Sequence, residues 1–456
     1  MKHLKRNLLQ QAISGLILFG LIGSAYAAEA ITENAPAAEA PLPEYTFLDA
    51  LKGGKNLTSF RLRYENVNQD GFAQEANGVT LRSLIGWQTA PYKNFSIAAQ
   101  FINVSKFKDD YNDVAKGLPQ PGHTQYPAIV DPDYTDVNQL FVEWTGIKNT
   151  KIRAGRQSLK LDNVRMIGNI EFRQVMQVFD GIALENKSLP DTEIYLADFE
   201  RIKQINTKLR DSGRLGIVNV KYRISPSESL VGYANFSTFT DLGFGNGWFG
   251  AGNANADQSN VSFGARLDGV RKFNDDWKYA YTAEFAKQTR FADGDSRINA
   301  HYLRLGGGAI YDLKIDEEAY GTFSLRLDHE TLSSNGGRFG FQTPFGTNHL
   351  FQGWVDKFLV TPKEGIQDTF LTAAYKFRDL TLSTEFHRIN SDVGFNRLGG
   401  GTGHRYGNEW DLSAAYAFNK NISSKVEYGR FTEGDRYAAG RIRSTDKLWL
   451  TAMYAF

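Results

Sequence analysis

The residues of this sequence that could do chemistry are charged, and they recur at every second position. In FRLRYE, Arg61, Arg63 and Glu65 alternate with Phe60, Leu62 and Tyr64. In FSLRLDHE, Ser324, Arg326 and Asp328 alternate with Phe323, Leu325 and Leu327. In EWDLSAAYAF, Glu409, Asp411 and Ser413 oppose Trp410, Leu412, Ala414, Tyr416 and Phe418. Arg153 and Arg266 hold the same parity in their own runs. A period of two is that of a β-strand, with one apolar face and one face of guanidinium and carboxylate groups. Charges set out in this way mostly pair across strands and solvate a wall. A subset can instead ring a constriction and set which ions or solutes pass. The mixed signs leave the preference between anions and cations open.

Covalent chemistry is not announced. His123, His301, His329, His349, His387 and His404 are scattered, and neither G-x-S-x-G nor H-E-x-x-H occurs. Cysteine is absent, which removes disulfides and thiolate metal sites. DDYND (109–113) is rich in carboxylates but lacks the spacing of a Ca²⁺ loop. Nothing calls for a cofactor, and a net charge of +1 gives no field for nucleic acid.

These residues need elements to hold them, and the pattern supplies one kind throughout. The 456 residues include 44 glycines and 13% aromatic residues but only 12 prolines, a composition that suits strands and tight turns. Met1–Arg6 is basic; an apolar run, QAISGLILFGLIG, and a small-residue site, Ser24–Ala28, follow. That is the form of a secretory signal cleaved after Ala27. Its removal takes the charge to about −2. Residues 28–57 then read as a periplasmic tether, with Ala, Glu and Pro prominent as far as residue 44. From 58 to 456 the alternation persists in about eighteen runs, with starts from near Thr58 to near Ser444.

The spacers between the runs fall into two classes. Short ones include 91–94, 146–149, 274–275, 378–379 and 419–421; long ones run 108–135, 162–178, 240–258 and 334–364. Alternating short and long connections predict an all-β transmembrane antiparallel barrel with tight periplasmic turns and long extracellular loops in a bacterial outer membrane. Its surroundings would be outer-membrane lipid and lipopolysaccharide. A ring of that size is wide enough for a watery channel for a hydrophilic solute unless loops fold in. Two long loops carry apolar residues that a solvated loop has no use for. The first has Met166, Ile167, Ile170, Phe172, Val175 and Met176, and the second has Phe339, Phe341, Phe345, Trp354 and Phe358. Both are expected to pack, most simply into the barrel mouth. The last run, DKLWLTAMYAF, ends on Phe456 with Leu448, Leu450, Ala452 and Tyr454 on one face. It is similar to the signal by which the outer-membrane assembly machinery takes up a barrel.

Several blocks resemble the alginate-export family of outer-membrane porins. They are Gly155-Arg156-Gln157, Asp162-Asn163-x-Arg165, Gly168-Asn169, Arg173-Gln174, Phe179-Asp180, FQTPFGTNHLFQGWVDKFL (341–359), TPKEGIQD (361–368) and Tyr406-Gly407-x-Glu409-x-Asp411. The resemblance implies an eighteen-stranded monomer, passive and non-enzymatic, with an electropositive constriction that passes an anionic polyuronate. It also implies that Arg156, Asp162, Arg165, Arg173 and Asp180 serve a pore loop. The other expected pore-lining residues, Arg61, Arg63, Arg153, Arg266, Arg326, Asp328, Glu409 and Asp411, come from strand parity or the motif blocks. Two alternatives stand beside this reading. One is a barrel enzyme acting on envelope lipid, which would need a rim Ser/His pair. The other is a structural barrel plugged by its loops.

Overall fold

The computed structural model describes residues 45–242, 248–249, 256–315, 318–439 and 442–456. The expected signal (1–27) and the first part of the tether (28–44) lie outside the described residues. Eighteen antiparallel strands follow one another around a single ring. They are β1 (Ser59–Gln69), β2 (Ala76–Gln88), β3 (Phe95–Asp110), β4 (Tyr134–Trp144), β5 (Thr150–Gln157) and β6 (Val178–Asn186). Then come β7 (Thr192–Lys203), β8 (Leu215–Ser225), β9 (Glu228–Ser237), β10 (Asn260–Lys272), β11 (Trp277–Arg290) and β12 (Asn299–Ile315). The last six are β13 (Glu318–Leu332), β14 (Ile366–Phe377), β15 (Leu380–Asn396), β16 (Thr402–Ala417), β17 (Ile422–Glu433) and β18 (Thr445–Ala455). Two-residue pieces, Lys55–Asn56 and Leu209–Arg210, add to the edges of β2 and β7.

Every strand pairs with the next, and β1 closes on β18 from Ser59–Ala455 to Gln69–Thr445. Closure is what lipid demands, because an open edge there would leave amides and carbonyls unpaired. Each run expected from the alternation coincides with one strand, within a few residues at its start. The side-chain parity also holds. Leu62, Leu325, Leu327, Trp410 and Leu412 are exposed on the outside, whereas Arg61, Arg63, Asp328, Glu409 and Asp411 are buried inside. An apolar band that is exposed around a closed ring has one suitable solvent, the hydrocarbon of a bilayer.

The ends of the barrel differ. The connections at one end are as short as Pro226–Ser227, between β8 and β9, and Arg378–Asp379, between β14 and β15. Aromatic side chains gather at this end as ring pairs: Phe95–Trp144, Trp277–Tyr311, Tyr320–Phe377 and Tyr454–Phe456. Such a girdle marks the level of the lipid headgroups, where an amphipathic ring has both an apolar and a polar neighbour. The tether ends in structure at this same rim. The short helix α1 (Phe47–Lys52) is capped reciprocally by Thr46 and Asp49. It lies against the outer side of β2, where the Trp87 indole donates to Leu51 O at 2.9 Å. Thus the chain between 45 and 56 follows the barrel edge.

Candidate pore constriction

The lumen is crossed by two of the long connections, residues 158–177 between β5 and β6 and residues 333–365 between β13 and β14. Both turn inward because their apolar side chains find partners only there. Ile167, Val175 and Met176 of the first are buried, as are Phe339, Phe341, Phe345, Trp354 and Phe358 of the second. Left-handed backbone at Asp162, Val164, Ile170, Gln352 and Asp356 lets the loops double back over short distances. The two segments are also joined to each other. Gly168 N donates to Phe345 O at 2.8 Å, and Thr347 N donates to Val164 O at 2.9 Å.

The β1 wall holds the first loop by arginines. Arg61 donates to Glu171 O, Arg173 O and Gln174 Oε1, and Arg63 donates to Phe172 O at 2.6 Å. The β16 wall holds the second loop by carboxylates. Val355 N donates to Glu409 Oε1 at 2.6 Å, and Trp354 N donates to Asp411 Oδ2 at 3.3 Å. Two loop arginines draw in buried partners of their own. Arg173 meets Glu65 at 2.9 Å and Asp356 at 3.1 Å, with Asp131 at 3.8 Å. Arg165 meets Glu330 at 3.0 Å and Gln352 at 3.1 Å, and its guanidinium lies over the Phe351 ring. Buried charges are retained only when paired and hydrogen-bonded in this way.

The remaining expected pore residues form local pairs, on the wall except for Asp162, which lies at the start of the first loop. Arg153 donates to Glu143 at 2.7 Å. Arg156 holds Asp180 through two bonds of 2.7 and 2.9 Å and reaches Val137 O at 3.0 Å, beyond the last β4–β5 pair. Asp162 accepts from Asn219 Nδ2 at 2.6 Å and lies 3.8 Å from Arg266, which pairs with Asp268. The void at that point holds about 10 Å³ between Asp162, Asn219, Arg266 and Glu284, room for about one water. Arg326 and Arg304 both pair with Asp328. They lie flat on the wall because Gly306, opposite, has no side chain: a Cβ there would stand 1.9 Å from Asp328 Oδ1. So Arg61, Arg63, Arg165, Arg173, Glu409 and Asp411 share the crossing of the two loops, and Arg153, Arg156, Asp180, Asp162, Arg266, Arg326 and Asp328 do not.

Several residues at the crossing were not singled out by the sequence. His349 and Lys447 flank Asp356 at 2.8 and 3.4 Å, and Phe172 stacks on the His349 ring at 3.3 Å. Burial opposes ionisation of Asp356, but His349, Lys447 and Arg173 outweigh it and hold the carboxyl well below the usual carboxylate range. Its neighbour Lys357, which donates to Gln69 Oε1 at 2.7 Å, is affected in the other way. Burial, and after it the charge of Lys447, pushes the ammonium down to about 7.

Set beside known proteins, this geometry has clear counterparts. Residues 58–198 match the alginate-export family. That stretch includes the GRQ block and the first inserted loop; the blocks at 341–368 and 406–411 fall beyond it. Comparison with curated proteins finds no match. Among solved structures, OccAB4 of Acinetobacter baumannii superposes with a TM-score of 0.63 at 13% identity, over 87% of this chain and 96% of that one. OccK5 (OpdH) of Pseudomonas aeruginosa gives 0.60 at 14%, over 89% and 98%. OpdK of the same organism, solved with vanillate, gives 0.62 at 14%, over 89% and 98%. The fold is thus an outer-membrane barrel of eighteen strands, and the family resemblance holds over its first third.

Proposed function

We propose that the chain is a passive, substrate-selective outer-membrane channel for small hydrophilic solutes that carry a carboxylate. The observation that carries this reading is the crossing of the two inserted loops beside unlike side chains. Arg61 and Arg63 of β1 hold one loop, and Glu409 and Asp411 of β16, with only β17 and β18 between, hold the other. Donor and acceptor groups brought side by side in a low-dielectric lumen set up a local field that orients a solute with both an anionic and a donor group. The superposition on OpdK, whose structure was solved with vanillate, an aromatic carboxylate, supports that class of solute. A second reading, passage of an anionic oligo- or polysaccharide, is favoured by the alginate-export match at 58–198. The filling of the lumen by two loops weighs against a polymer unless they withdraw.

The enzyme reading finds less support. His329, on the outer face, touches Thr369 and Thr331 hydroxyls but no carboxylate that would orient its ring. The loop-plugged structural barrel is the outcome to be tested against. Planar-bilayer recording of the refolded protein under a KCl gradient separates these readings. A discrete conductance blocked by millimolar aromatic carboxylates supports the proposal. Block by oligouronates alone transfers it to the polysaccharide. A folded barrel that never conducts makes it a plug. We infer a monomer in lipid, taken up by the assembly machinery through β18, because the barrel closes on itself without a second chain.

A further inference from the structure

Beneath Trp354 and Val355, three wall strands bring one imidazole among four carboxylates: Asp368 from β14, Glu385 and His387 from β15, Glu409 and Asp411 from β16. His387 is 1% exposed, and Asp368, Glu409 and Asp411 are buried to the same degree. The described residues offer these four acids no lysine or arginine within ion-pair distance; the one basic group beside them is the His387 ring. Nor are the acids satisfied by donors. Asp368 Oδ1, Glu409 Oε2 and Asp411 Oδ1 are all buried without a hydrogen-bond partner. A carboxylate oxygen left so in a dry site is costly.

The ring itself is aimed. Its Nδ1 lies 2.8 Å from Asp368 Oδ2, which fixes the proton on that nitrogen. The lone pair of Nε2 then points at Glu385 Oε2, 3.3 Å away, and Asp411 Oδ2, 3.9 Å away. One ring nitrogen and two carboxylate oxygens thus converge on a point that a positive centre, a metal ion or a proton, would fill. The three ligand atoms lie within 4.8 Å of one another. Ligands about 2.1 Å from a tetrahedral ion stand about 3.4 Å apart, which the two measured separations bracket. A carboxylate that orients an imidazole from behind is also the usual support of a metal-binding histidine.

We propose that Glu385, His387 and Asp411 form a binding site for a divalent first-row metal ion, with Asp368 as the positioning residue. One imidazole with carboxylates suits Zn²⁺ or Mn²⁺ better than Ca²⁺, which takes oxygen ligands alone. Asp411 Oδ2 also accepts from Trp354 N, so the ion would tie the second loop to the wall. Gly353, with φ of +84°, permits that approach: a Cβ there would stand 2.2 Å from the Glu409 carboxylate carbon.

The test uses untagged full-length protein, refolded and stripped with chelator, with Zn²⁺ as the probe in equilibrium dialysis. One Zn²⁺ per chain at micromolar affinity or tighter is expected. It should weaken at least 100-fold in His387→Gln and Asp411→Asn, about 10-fold in Asp368→Asn, and not at all in His404→Gln. Folding of each variant is checked by the heat-dependent shift in gel mobility. If His387→Gln does not fold, Co²⁺ in the wild-type protein decides, since nitrogen–oxygen ligation gives weak visible bands. No saturable Zn²⁺ binding, binding that survives His387→Gln, or a featureless Co²⁺ spectrum overturns the site. In that case a proton shared among the acids and an imidazolium fills the cluster.

Discussion

Two neighbouring patches of the lumen wall hold the inserted loops in opposite ways: β1 donates to them, and β16, with β17 and β18 between, accepts from them. Arg61 and Arg63 of β1 supply guanidinium N–H groups to loop carbonyls, and the reach of five donors per arginine covers three successive residues, Glu171 to Arg173. Glu409 and Asp411 of β16 take loop amides, yet keep an oxygen each without a donor. A loop backbone carries both donors and acceptors, so either sign of wall can hold it. The difference is in the remainder. The arginine patch matches guanidinium to carbonyl, whereas the acid patch has carboxyl oxygens in excess of its donors. The two patches therefore set unlike groups side by side, with only β17 and β18 between them.

That contrast can be broken by substitution. The largest effect is expected at Arg173, the shared partner of Glu65, Asp131 and Asp356. Arg173→Ala takes from Glu65 and Asp131 their one ion-pair partner among the described residues, leaves Asp356 with His349 and Lys447, and should cost about 3–5 kcal/mol, read from urea unfolding in detergent. A loss under about 1 kcal/mol would mean that the loops are not held by charge. Next comes Arg63→Ala, which removes one of the two β1 arginines that hold the first loop. A charge-assisted hydrogen bond of this kind contributes about 1.5–3 kcal/mol, and single-channel conductance should rise as the loop loosens. Unchanged conductance would place the narrowest point elsewhere. In the neighbouring patch, Glu409→Gln keeps an acceptor for Val355 N, removes one carboxyl and should alter stability by less than about 1 kcal/mol. The reversal potential should move toward anions; an unchanged or opposite shift would remove the contrast between the two patches.

Smaller effects follow from pH. Lys357 has its folded-state pKa lowered to about 7, so folding disfavours its charged form. Stability should rise with pH from below 7 toward the unfolded value of about 10.4. Between pH 6 and 8 the loop loses most of one positive charge, so anion preference should fall in wild type but not in Lys357→Met. Asp356 has the opposite sign. Its folded pKa lies below the unfolded value of about 3.9, so its contribution is full above that pH and is lost as pH falls through the folded value. Asp356→Asn should flatten the acid limb of a stability–pH curve, and an unchanged limb would assign acid unfolding to other carboxylates.

How much of this was readable beforehand depends on range. Alternation is local, so the strand starts, the lipid face and the inward charges could be read directly, from Arg61 to Asp411. The inward turn of the loops was legible from misplaced apolar residues such as Ile167 and Trp354. Partnerships were not. Nothing near Arg173 in sequence names Glu65 or Asp356, and left-handed turns at Asp162, Val164 and Ile170 have no glycine to betray them. The cluster around His387 was hidden for a related reason. Glu385 and His387 have on β15 the inward parity that Glu409 and Asp411 have on β16, but their convergence depends on the register of the two strands, where Glu385 stands opposite Asp411 and His387 opposite Glu409. A cue existed in two inward charges spaced i, i+2 on successive strands, and it becomes a signal only once the register is known.

The seam between β1 and β18 has a consequence for assembly. Neighbours in the ring are, at this one place, nearly a whole chain apart in sequence. Every other pairing is between consecutive strands and can form early, but ring closure must wait for the last strand to arrive. Until then the growing sheet has two bare edges, each a template for mispairing with another chain. The loop closure is also the most entropically expensive in the molecule, and it gains nothing until it is complete. The slow, committing step of folding is therefore topological. A chain shortened within β18 should accumulate as an open, aggregation-prone sheet, while internal hairpins can be weakened without that fate.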